Sequence, residues 1–422
     1  MFRRLLEQSL DSAIADTPAT FVAGARQSGK STLVQALVDR ADGWTYRTFD
    51  SVNTLASALA DPQGFVEALG DRAVVDEIQR APGILLPLKL AIDQDRRPGR
   101  FVLTGSANIF TLPRAAESLA GRMEVLTLWP LAQAELDGTK SSFIDACFDG
   151  QPATLYGPPI DRGALVRRLL RGGYPEAVSR KGAPERRRWF DAYLTTLLQR
   201  DLRDLAAVEQ VAEVPRILEA VAARTGGPLN VADLGRTLGL NQMTVRRYLV
   251  LLEALFLLFR LPPWFENLGK RLAKTPKLYL NDAGLLAHLL GLDAASLESR
   301  PGDLGQLLES FVVAELLRLA PHSGIQPRLH HLRTSDGIEV DIVLEGRRHQ
   351  LVGVEVKAAS SVSTADFRGL RFLQDAVGDR LRCGVVLYTG RETLPFGPRL
   401  WAVPISTIWG GLASQSIEAK PA

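Results

Sequence analysis

The sequence predicts an α/β protein whose amino-terminal part holds a parallel sheet covered by helices on both faces. Three apolar runs of strand length, residues 20–23, 73–75 and 100–104, are each followed by a polar or glycine-containing turn. Between them, residues 31–40 and 84–93 carry apolar side chains at the helical spacing of about 3.6. Because strands that alternate with helices pair in parallel, these observations together predict the fold class.

The rest of the chain divides into further parts. Residues 137–163 are rich in Gly, Pro, Ser and Asp, which predicts an irregular surface connection. A helical section follows, and from Thr225 the pattern predicts a helix, a tight turn, two more helices and an extended chain. A helix over Leu304–Leu319 and four strand-like runs then predict a second α/β unit. We therefore expect a sheet-containing domain over 1–135, a linker and helical region over 136–220, a winged-helix-like unit over 221–295 and a final domain over 296–422.

Composition excludes several classes of protein. The 422 residues are 46% hydrophobic and 23% charged, which is typical of a folded soluble chain. Cys147 and Cys383 lie far apart without a CxxC motif, which excludes a disulfide scaffold and a cysteine-rich zinc site. The start lacks a continuous apolar core, so we expect no signal peptide. The most apolar stretch, residues 248–265, contains Glu253 and Arg260 and is too short to span a bilayer, so we expect a cytoplasmic protein without a membrane partner.

The strongest motif is GARQSGKS at residues 24–31, a complete GxxxxGK[ST] between a predicted strand and a predicted helix. In such a loop the glycines let successive backbone N–H groups point at phosphates, and the helix adds its amino-terminal dipole. Lys30 would reach the terminal phosphates, and the Ser31 hydroxyl would take a magnesium coordination position. The motif therefore predicts a site for ATP and Mg²⁺. We expect its contacts at Gly24, Gln27, Ser28, Gly29, Lys30, Ser31 and Thr32.

The second and third predicted strands end in side chains that suit the same site. Asp76 would hold the magnesium ion through its water shell, and Glu77 would polarise the attacking water. The third strand runs into a polar tip, where Ser106 or Thr104 would sense the terminal phosphate unless these side chains only cap the turn. Arg122 is the candidate arginine finger, and the alternative is a surface arginine at the end of a helix.

The helical middle of the chain is basic, because nine lysines and arginines face three acids between Val221 and Leu280, a local charge of +6. Within it, NVADLGRTLGLNQMTVRRYL has helix-turn-helix spacing, with Gly239 in the turn and Asn241 as the cap of the second helix. One interpretation is a winged helix that binds duplex DNA, and the other is a packing module whose arginines pair with neighbouring domains. Side chains of the second helix able to meet phosphates and base edges are Gln242, Thr244, Arg246 and Arg247.

The carboxy-terminal part carries two carboxylates and a lysine on neighbouring strand-like runs. Glu355 and Lys357 share one face of their strand, because side chains alternate along it. A hairpin would bring Asp341 beside them, and the preceding helix could add Glu309. Such carboxylates would bind a divalent ion while the lysine positions or activates water for attack on a phosphodiester. The alternative is an exposed ion pair between Glu355 and Lys357.

Taken together, the motifs resemble a family of prokaryotic AAA-type ATP-binding proteins with a carboxy-terminal domain of unknown function. The resemblance covers nearly the whole chain and implies an AAA-type P-loop ATPase, then a winged helix, then a PD-(D/E)xK nuclease fold. On that basis Glu309, Asp341, Glu355 and Lys357 align with the functional positions of the nuclease fold. One departure, Val340 in place of proline before Asp341, weakens the motif as a sign of cleavage. The motifs are GARQSGKST, VVDEIQRAP, LTGSAN, SLAGRMEVLTLWPLAQAEL, RGGYPEAV, TTLLQRDLRDL, PKLYLNDAGLL, GIEVDIVLEG and VGVEVKAA.

Two functions of different classes stay open. The first is an ATP-hydrolysing machine that acts on DNA with a metal-dependent nuclease-like domain. The second is an ATP-gated switch or scaffold whose carboxy-terminal domain binds a protein or nucleic acid without cutting it, and here a second copy of the chain is also a candidate partner. A small-molecule kinase is disfavoured, because no lid-like arginine cluster follows the loop closely and the chain is much longer than such enzymes need.

Overall fold

A five-stranded parallel sheet forms the amino-terminal part of the protein. The structure is a computed structural model that describes residues 2–107, 121–201, 213–266 and 275–413. The strands of this sheet are β1 Ala19–Ala23, β2 Thr45–Thr48, β3 Ala73–Asp76, β4 Phe101–Gly105 and β5 Met123–Thr127. Their order across the sheet is β2-β3-β4-β1-β5, and every neighbouring pair is parallel. Since β4 lies between β1 and β3, the three strands end side by side.

Helices cover both faces of this sheet, as the alternation of patterns predicts. Val22, Val74 and Val102 point to one face, where they pack with apolar residues of the helices before and after β1. Phe21 and Leu103 point to the other face and join a larger core. This arrangement confirms the predicted fold class. The helices of this part are α1 Leu6–Asp16, α2 Lys30–Arg40, α3 Val52–Ala60, α4 Pro62–Glu67 and α5 Leu85–Gln94.

A helical region follows the sheet, and one prediction about its beginning is wrong. Residues 137–163 do not form a surface connection, because a short helix within them buries Phe143 and Cys147 completely. The Gly, Pro and Ser content of the whole segment hid this apolar run. The segment is also held from outside: Thr139 Oγ1 donates to the carbonyl of Trp409 at 2.6 Å, and residue 156 pairs with residue 411. The helices are α6 Gln133–Asp137, α7 Phe143–Phe148, α8 Arg162–Arg171, α9 Pro175–Ser179 and α10 Ala183–Thr196.

The middle of the chain folds as helices followed by a two-stranded antiparallel sheet. Gly239 ends the second of these helices with a φ of 70°, a left-handed conformation that glycine adopts without strain. The Asn241 side chain accepts a hydrogen bond from the Thr244 N–H at 2.8 Å, so it caps the third helix as predicted. The elements are α11 Val214–Ala222, α12 Val231–Leu238, α13 Gln242–Ala254, β6 Leu258–Leu261 and β7 Lys277–Leu280.

The last part of the described chain is a six-stranded mixed sheet between two helices. Its strands are β8 Arg328–Arg333, β9 Glu339–Glu345, β10 Leu351–Lys357, β11 Leu381–Tyr388, β12 Leu394–Gly397 and β13 Leu400–Pro404. Their order is β12-β13-β11-β10-β9-β8, with β10, β11 and β13 parallel and the other pairs antiparallel. Val354 and Val385 lie in the same core as the long helix before the sheet, whereas Val343 and Val386 pack with the helix after β10. The helices are α14 Ala283–Leu289, α15 Ala294–Ser299, α16 Pro301–Leu319 and α17 Arg368–Val377.

A buried charge cluster on α16 joins three parts of the molecule. Arg318 lies 2.6 Å from Glu315 and 3.6 Å from Asp282, and it also donates to the carbonyls of Asn281 and Leu131. Glu315 in turn accepts the backbone N–H of residue 133, where α6 begins after the amino-terminal sheet, at 2.8 Å. Burial raises the pKa of both carboxyls, and the arginine opposes that rise. The cluster therefore ties the sheet-containing part, the middle unit and α16 together.

The helix α16 has 19 residues, which is long enough to consider it as a membrane span. It is not apolar enough to cross a bilayer. Its charged residues include Asp303, Glu309, Glu315 and Arg318. None of the helices within the described ranges combines the length and apolar character that crossing a bilayer requires.

Candidate functional site

The loop after β1 has the backbone of an anion-binding turn. Gly24 has no room for a side chain, because a Cβ there would lie 2.2 Å from the carbonyl oxygen of Leu128. Gly29 has a φ of 101°, which favours glycine, and α2 begins at the next residue, Lys30. The predicted glycines thus stand where close approach and a left-handed turn require them. The loop's N–H groups and the start of α2 can together face an anion.

Lys30 lies inside this loop. Its side chain is only 4% exposed, and Nζ donates hydrogen bonds of 3.0 Å to the carbonyls of Gly24 and Ala25. The amine is thereby fixed within the loop, where phosphates would be the natural partners of a buried positive charge. Ser31 and Thr32 follow on the first turn of α2, and both are exposed.

Asp76 stands opposite Ser31 and is enclosed by hydroxyl groups. Ser31 Oγ and the Tyr46 hydroxyl each donate to Asp76 Oδ2 at 2.9 Å, and Thr104 Oγ1 donates to Oδ1. Burial and the neighbouring carboxylate raise the pKa of Tyr46 well above its ordinary value, so the phenol stays a donor. Asp76 and Ser31 therefore supply neighbouring hard oxygen atoms at the mouth of the loop, the ligand type that magnesium prefers.

Glu77 follows Asp76 in a left-handed conformation, with a φ of 62°. Its backbone N–H donates to Thr104 Oγ1 at 3.2 Å. The amide of Gln79 donates both to the Glu77 carboxylate and, at 2.9 Å, to Ser106 Oγ. The polar tip of β4 thus contacts the acids through Thr104 and Ser106, as the position of β4 between β1 and β3 requires.

A cavity of about 570 Å³ opens between this loop and the helical region. The aromatic rings of Trp189 and Tyr193 on α10 form its far wall, stacked with centroids 5.1 Å apart. Arg180, directly after α9, adds a positive charge at this wall and interacts with Glu176. Loop-side residues that line the cavity are Arg26, Gln27, Gly29, Lys30, Ser31, Thr32 and Glu77.

Several side chains of this site were not foreseen. Gln79 lies two residues beyond Glu77 in the same motif, so that its amide could have been proposed from the sequence. Arg180 lies in a basic stretch whose charges look like a solvated face. Tyr46 carries no local signal at all, since its contact with Asp76 depends on the pairing of β2 with β3.

Arg122 lies at the opposite edge of the sheet. Met123 begins β5 beside Ala19, the first residue of β1, while the loop follows the last residue of β1. A five-residue strand at about 3.3 Å per residue separates the two ends by roughly 15 Å. Arg122 makes a two-point contact with Asp93, with distances of 2.7 and 3.0 Å, which lowers the pKa of that carboxyl. It therefore does not reach this cavity, and an arginine-finger role toward a second copy stays a prediction.

At the carboxy-terminal sheet, Asp341 and Glu355 lie on the same face of β9 and β10. The register pairs Val354 with Ile342, which places Glu355 across from Asp341. The Val356 N–H donates to Asp341 Oδ2 at 2.9 Å, and Lys357 Nζ lies 3.9 Å from Glu355. Burial first, and then the neighbouring Asp341 carboxylate, raises the pKa of Glu355. Asp341, Glu355 and Lys357 therefore lie close together, as their places on neighbouring strands predict.

Glu309 was predicted as a metal ligand beside them, and the structure gives it another partner. Lys277, on β7, is only 2% exposed and lies 3.1 Å from Glu309 and 2.6 Å from Glu339. The Tyr279 hydroxyl also donates to Glu309, at 2.7 Å. In the described part of the chain no three His, Cys, Asp or Glu side chains form a group able to hold a metal. Lys277 therefore neutralises Glu309 in this structure, and a metal-binding role for Glu309 beside Asp341 and Glu355 stays a prediction.

Several basic residues of the middle unit pair with acids of the same unit, so fewer of them are available to a partner than the local charge of +6 implies. Arg224 and Arg236 both pair with Asp233, and Arg260 pairs with Glu253. Lys277 is buried, as described above. Gln242, Arg246 and Arg247 are exposed on α13, and Thr244 is half-buried. The remaining predicted basic residues, Lys270, Arg271 and Lys274, lie outside the described residues.

Comparison with known proteins adds the family context. A family model described as "AAA domain" matches residues 16–137, and two described as domains of unknown function, DUF8612 and DUF4143, match residues 162–296 and 304–408. The chain is 32% identical over 411 residues to the uncharacterized proteins Rv2008c of Mycobacterium tuberculosis and Mb2031c of Mycobacterium bovis, covering 96% of this chain and 84% of each. An uncharacterized protein of Haemophilus influenzae is 24% identical over 328 residues, or 70% of this chain and 74% of that one. Among solved structures, the Walker-type ATPase PABY2304 of Pyrococcus abyssi matches with a TM-score of 0.42 and 15% identity, over 69% of this chain and 96% of that one.

Proposed function

The chain belongs to the family that includes the mycobacterial protein Rv2008c and carries an AAA domain of P-loop ATPase type, and from this premise we propose that it hydrolyses ATP in a magnesium-dependent reaction at the loop after β1. The observation that carries the proposal is the meeting of Ser31 and Asp76, 2.9 Å apart, beside the enclosed amine of Lys30. Oxygen ligands and a buried amine at the start of a helix are what a magnesium–triphosphate complex needs.

Each residue then has a separate task. Lys30 exchanges its loop carbonyls for the terminal phosphates, while the N–H groups of the loop bind the phosphate oxygens. Ser31 and Asp76 would hold Mg²⁺, which when bound offsets charge on the phosphates. Glu77 accepts a proton from the attacking water, and Ser106 meets the terminal phosphate. Arg180 lies across the cavity, and we propose that it stabilises the charge that develops during hydrolysis.

Two substitutions test this assignment. Lys30→Ala should abolish nucleotide binding, because it removes the charge that meets the terminal phosphates. Glu77→Gln should keep binding but lower kcat by roughly 10²- to 10⁴-fold, the contribution of a general base. Binding is measured with a fluorescent ATP analogue and hydrolysis by phosphate release, with Glu67→Gln as a control on the same domain. Hydrolysis by Glu77→Gln at the wild-type rate would mean that another group activates the water.

We propose further that the protein acts on duplex DNA through α13. The support is the exposure of Gln242, Arg246 and Arg247 on one capped helix of a helix-turn-helix, which fits a winged-helix interpretation of residues 221–295. The domain division at residues 135, 220 and 295 belongs to the same proposal. The packing-module alternative predicts that DNA binding is absent.

We propose separately that the carboxy-terminal sheet cleaves DNA. Asp341, Glu355 and Lys357 lie together as a nuclease-like site requires. The two carboxylates would be ligands of a divalent metal ion. The assay is nicking of supercoiled plasmid with Mg²⁺ or Mn²⁺, with and without ATP, and with Asp341→Asn as the inactive control. Metal binding without nicking in any nucleotide state would instead support an ATP-gated recognition module.

A further inference from the structure

Arg4 lies before α1, outside the matched AAA domain, and its side chain is buried against the P-loop. NH1 donates to the carbonyl of Ser28 at 2.7 Å, NH2 donates to the carbonyl of Trp129 at 2.7 Å, and Nε donates to Glu135 at 3.0 Å. The side chain is only 8% exposed. The guanidinium therefore links the phosphate-binding loop to the segment that leaves β5.

The partner Glu135 is itself fixed in place. Its Oε1 also accepts the backbone N–H of Leu5 at 2.7 Å, and its Oε2 accepts that of Ala132 at 2.8 Å. A guanidinium stays charged at any pH of interest and presents its donors in a rigid plane. Glu135 and Trp129 accept hydrogen bonds from two edges of the Arg4 guanidinium. These two bonds fix the direction from which Arg4 donates to the Ser28 carbonyl.

The hydrogen bond from Arg4 to the Ser28 carbonyl determines the orientation of the peptide group that joins Ser28 and Gly29. The described chain has no cis peptide bonds, and in a trans peptide the C=O of residue 28 and the N–H of residue 29 point in opposite directions. Because the Ser28 carbonyl is held on Arg4, the N–H of Gly29 points away from Arg4, and Gly29 itself lines the cavity. A rotated peptide would present a carbonyl oxygen to the phosphates, which repels them.

We propose that Arg4 is a positioning residue for the nucleotide: it holds the Ser28–Gly29 peptide so that its N–H meets a phosphate oxygen. The inference rests on the proposed ATPase function. Arg4 acts through the loop backbone, so its loss weakens nucleotide binding equally in the ground state and the transition state. Such a loss raises KM and leaves kcat nearly unchanged.

The test compares Arg4→Ala and Arg4→Lys with wild type and with Arg3→Ala. Arg3 is a matched control, because its side chain is 93% exposed and its contact with Glu7 is 4.0 Å long. Steady-state hydrolysis gives KM and kcat, titration with fluorescent ADP gives Kd, and circular dichroism verifies folding. We expect Arg4→Ala to raise KM and Kd roughly 10- to 100-fold, the effect of one hydrogen bond to a charged group, while Arg3→Ala matches wild type. Arg4→Lys should fall between them, because one ammonium reaches fewer of the three acceptors.

A folded Arg4→Ala variant with wild-type KM and Kd, or one that loses kcat at an unchanged KM, overturns the proposal. If Arg4→Ala does not fold, Arg4→Lys decides, since it keeps the charge opposite Glu135: a raised KM supports the proposal and a wild-type KM overturns it. If wild type itself binds no nucleotide, the proposed ATPase function fails and this inference fails with it.

Discussion

Replacement of Arg318 by methionine should destabilise the whole molecule. The side chain keeps much of its volume in the core, but Glu315 and Asp282 lose the charge that lies 2.6 and 3.6 Å away. Both carboxyls are essentially without solvent contact, at 0% and 1% exposure. Removing one partner of a buried ion pair costs about 3–5 kcal/mol, and since Arg318 serves two carboxylates we expect about 5 kcal/mol.

The effect should depend on pH in a stated direction. Burial raises the pKa of Glu315 and Asp282 above their ordinary values of 4.5 and 3.8, so the folded state holds these protons more tightly than the unfolded state. Each carboxyl therefore lowers stability as pH rises above its unfolded pKa, and this cost is absent below it. Without Arg318 both pKa values rise further. The destabilisation of Arg318→Met should thus be larger at about pH 8 than at about pH 5.

Urea denaturation followed by tryptophan fluorescence measures this change at both pH values. Arg300→Met is the matched control, because Arg300 directly precedes the same helix, is 58% exposed and pairs with Asp303 at 3.1 Å. That control should stay within about 0.5 kcal/mol of wild type. The reasoning is refuted if Arg318→Met unfolds within about 1 kcal/mol of wild type near pH 8, or if its loss is no larger there than near pH 5.

Two further predictions concern the proposed activities. Gln79→Ala should lower kcat for ATP hydrolysis roughly tenfold or more with little change in KM, because Glu77 loses the amide that positions it against Ser106; an unchanged kcat in a steady-state assay would show that Glu77 needs no such support. Replacing Arg246 and Arg247 together by alanine should weaken duplex DNA binding and reduce the slope of log K against log salt by about 1.8, since each phosphate contact contributes about 0.9. Arg216→Ala, whose side chain pairs with Glu213, serves as the control in fluorescence anisotropy, and a double variant with the wild-type slope would support the packing-module interpretation.

Those parts of the site that depend on local chain geometry could be predicted from the sequence. Gly24 and Gly29 are needed by the path of the loop itself, and Asp76 and Glu77 stand at the end of a strand whose apolar residues identify it. The capping of α13 by Asn241 is equally local, as is the shared face of Glu355 and Lys357. In each case the residues that interact are close along the chain or related by the period of one element.

Those parts that depend on distant pairings could not be predicted. Lys277 neutralises Glu309 across 32 positions, and Arg4 reaches Glu135 across 131, distances at which sequence spacing carries no directional information. Arg122 shows the converse case: it is near β4 in sequence, but it directly precedes β5, at the end of the strands opposite to the phosphate-binding loop. The helix α7 was hidden because the average composition of a segment says nothing about five apolar positions within it.

The return of residues 405–412 to the segment 139–157 has a consequence for biosynthesis. Thr139 bonds to Trp409, which is translated 270 positions later. At roughly 5–20 residues per second, Thr139 waits roughly 15–50 s for its acceptor to be made. The amino-terminal sheet ends at Thr127 and can assemble on the ribosome during that interval, whereas α7 packs against β10 and β11, which are made only after residue 350. We therefore expect the nascent chain to be most exposed to proteases and chaperones between residues 139 and 157.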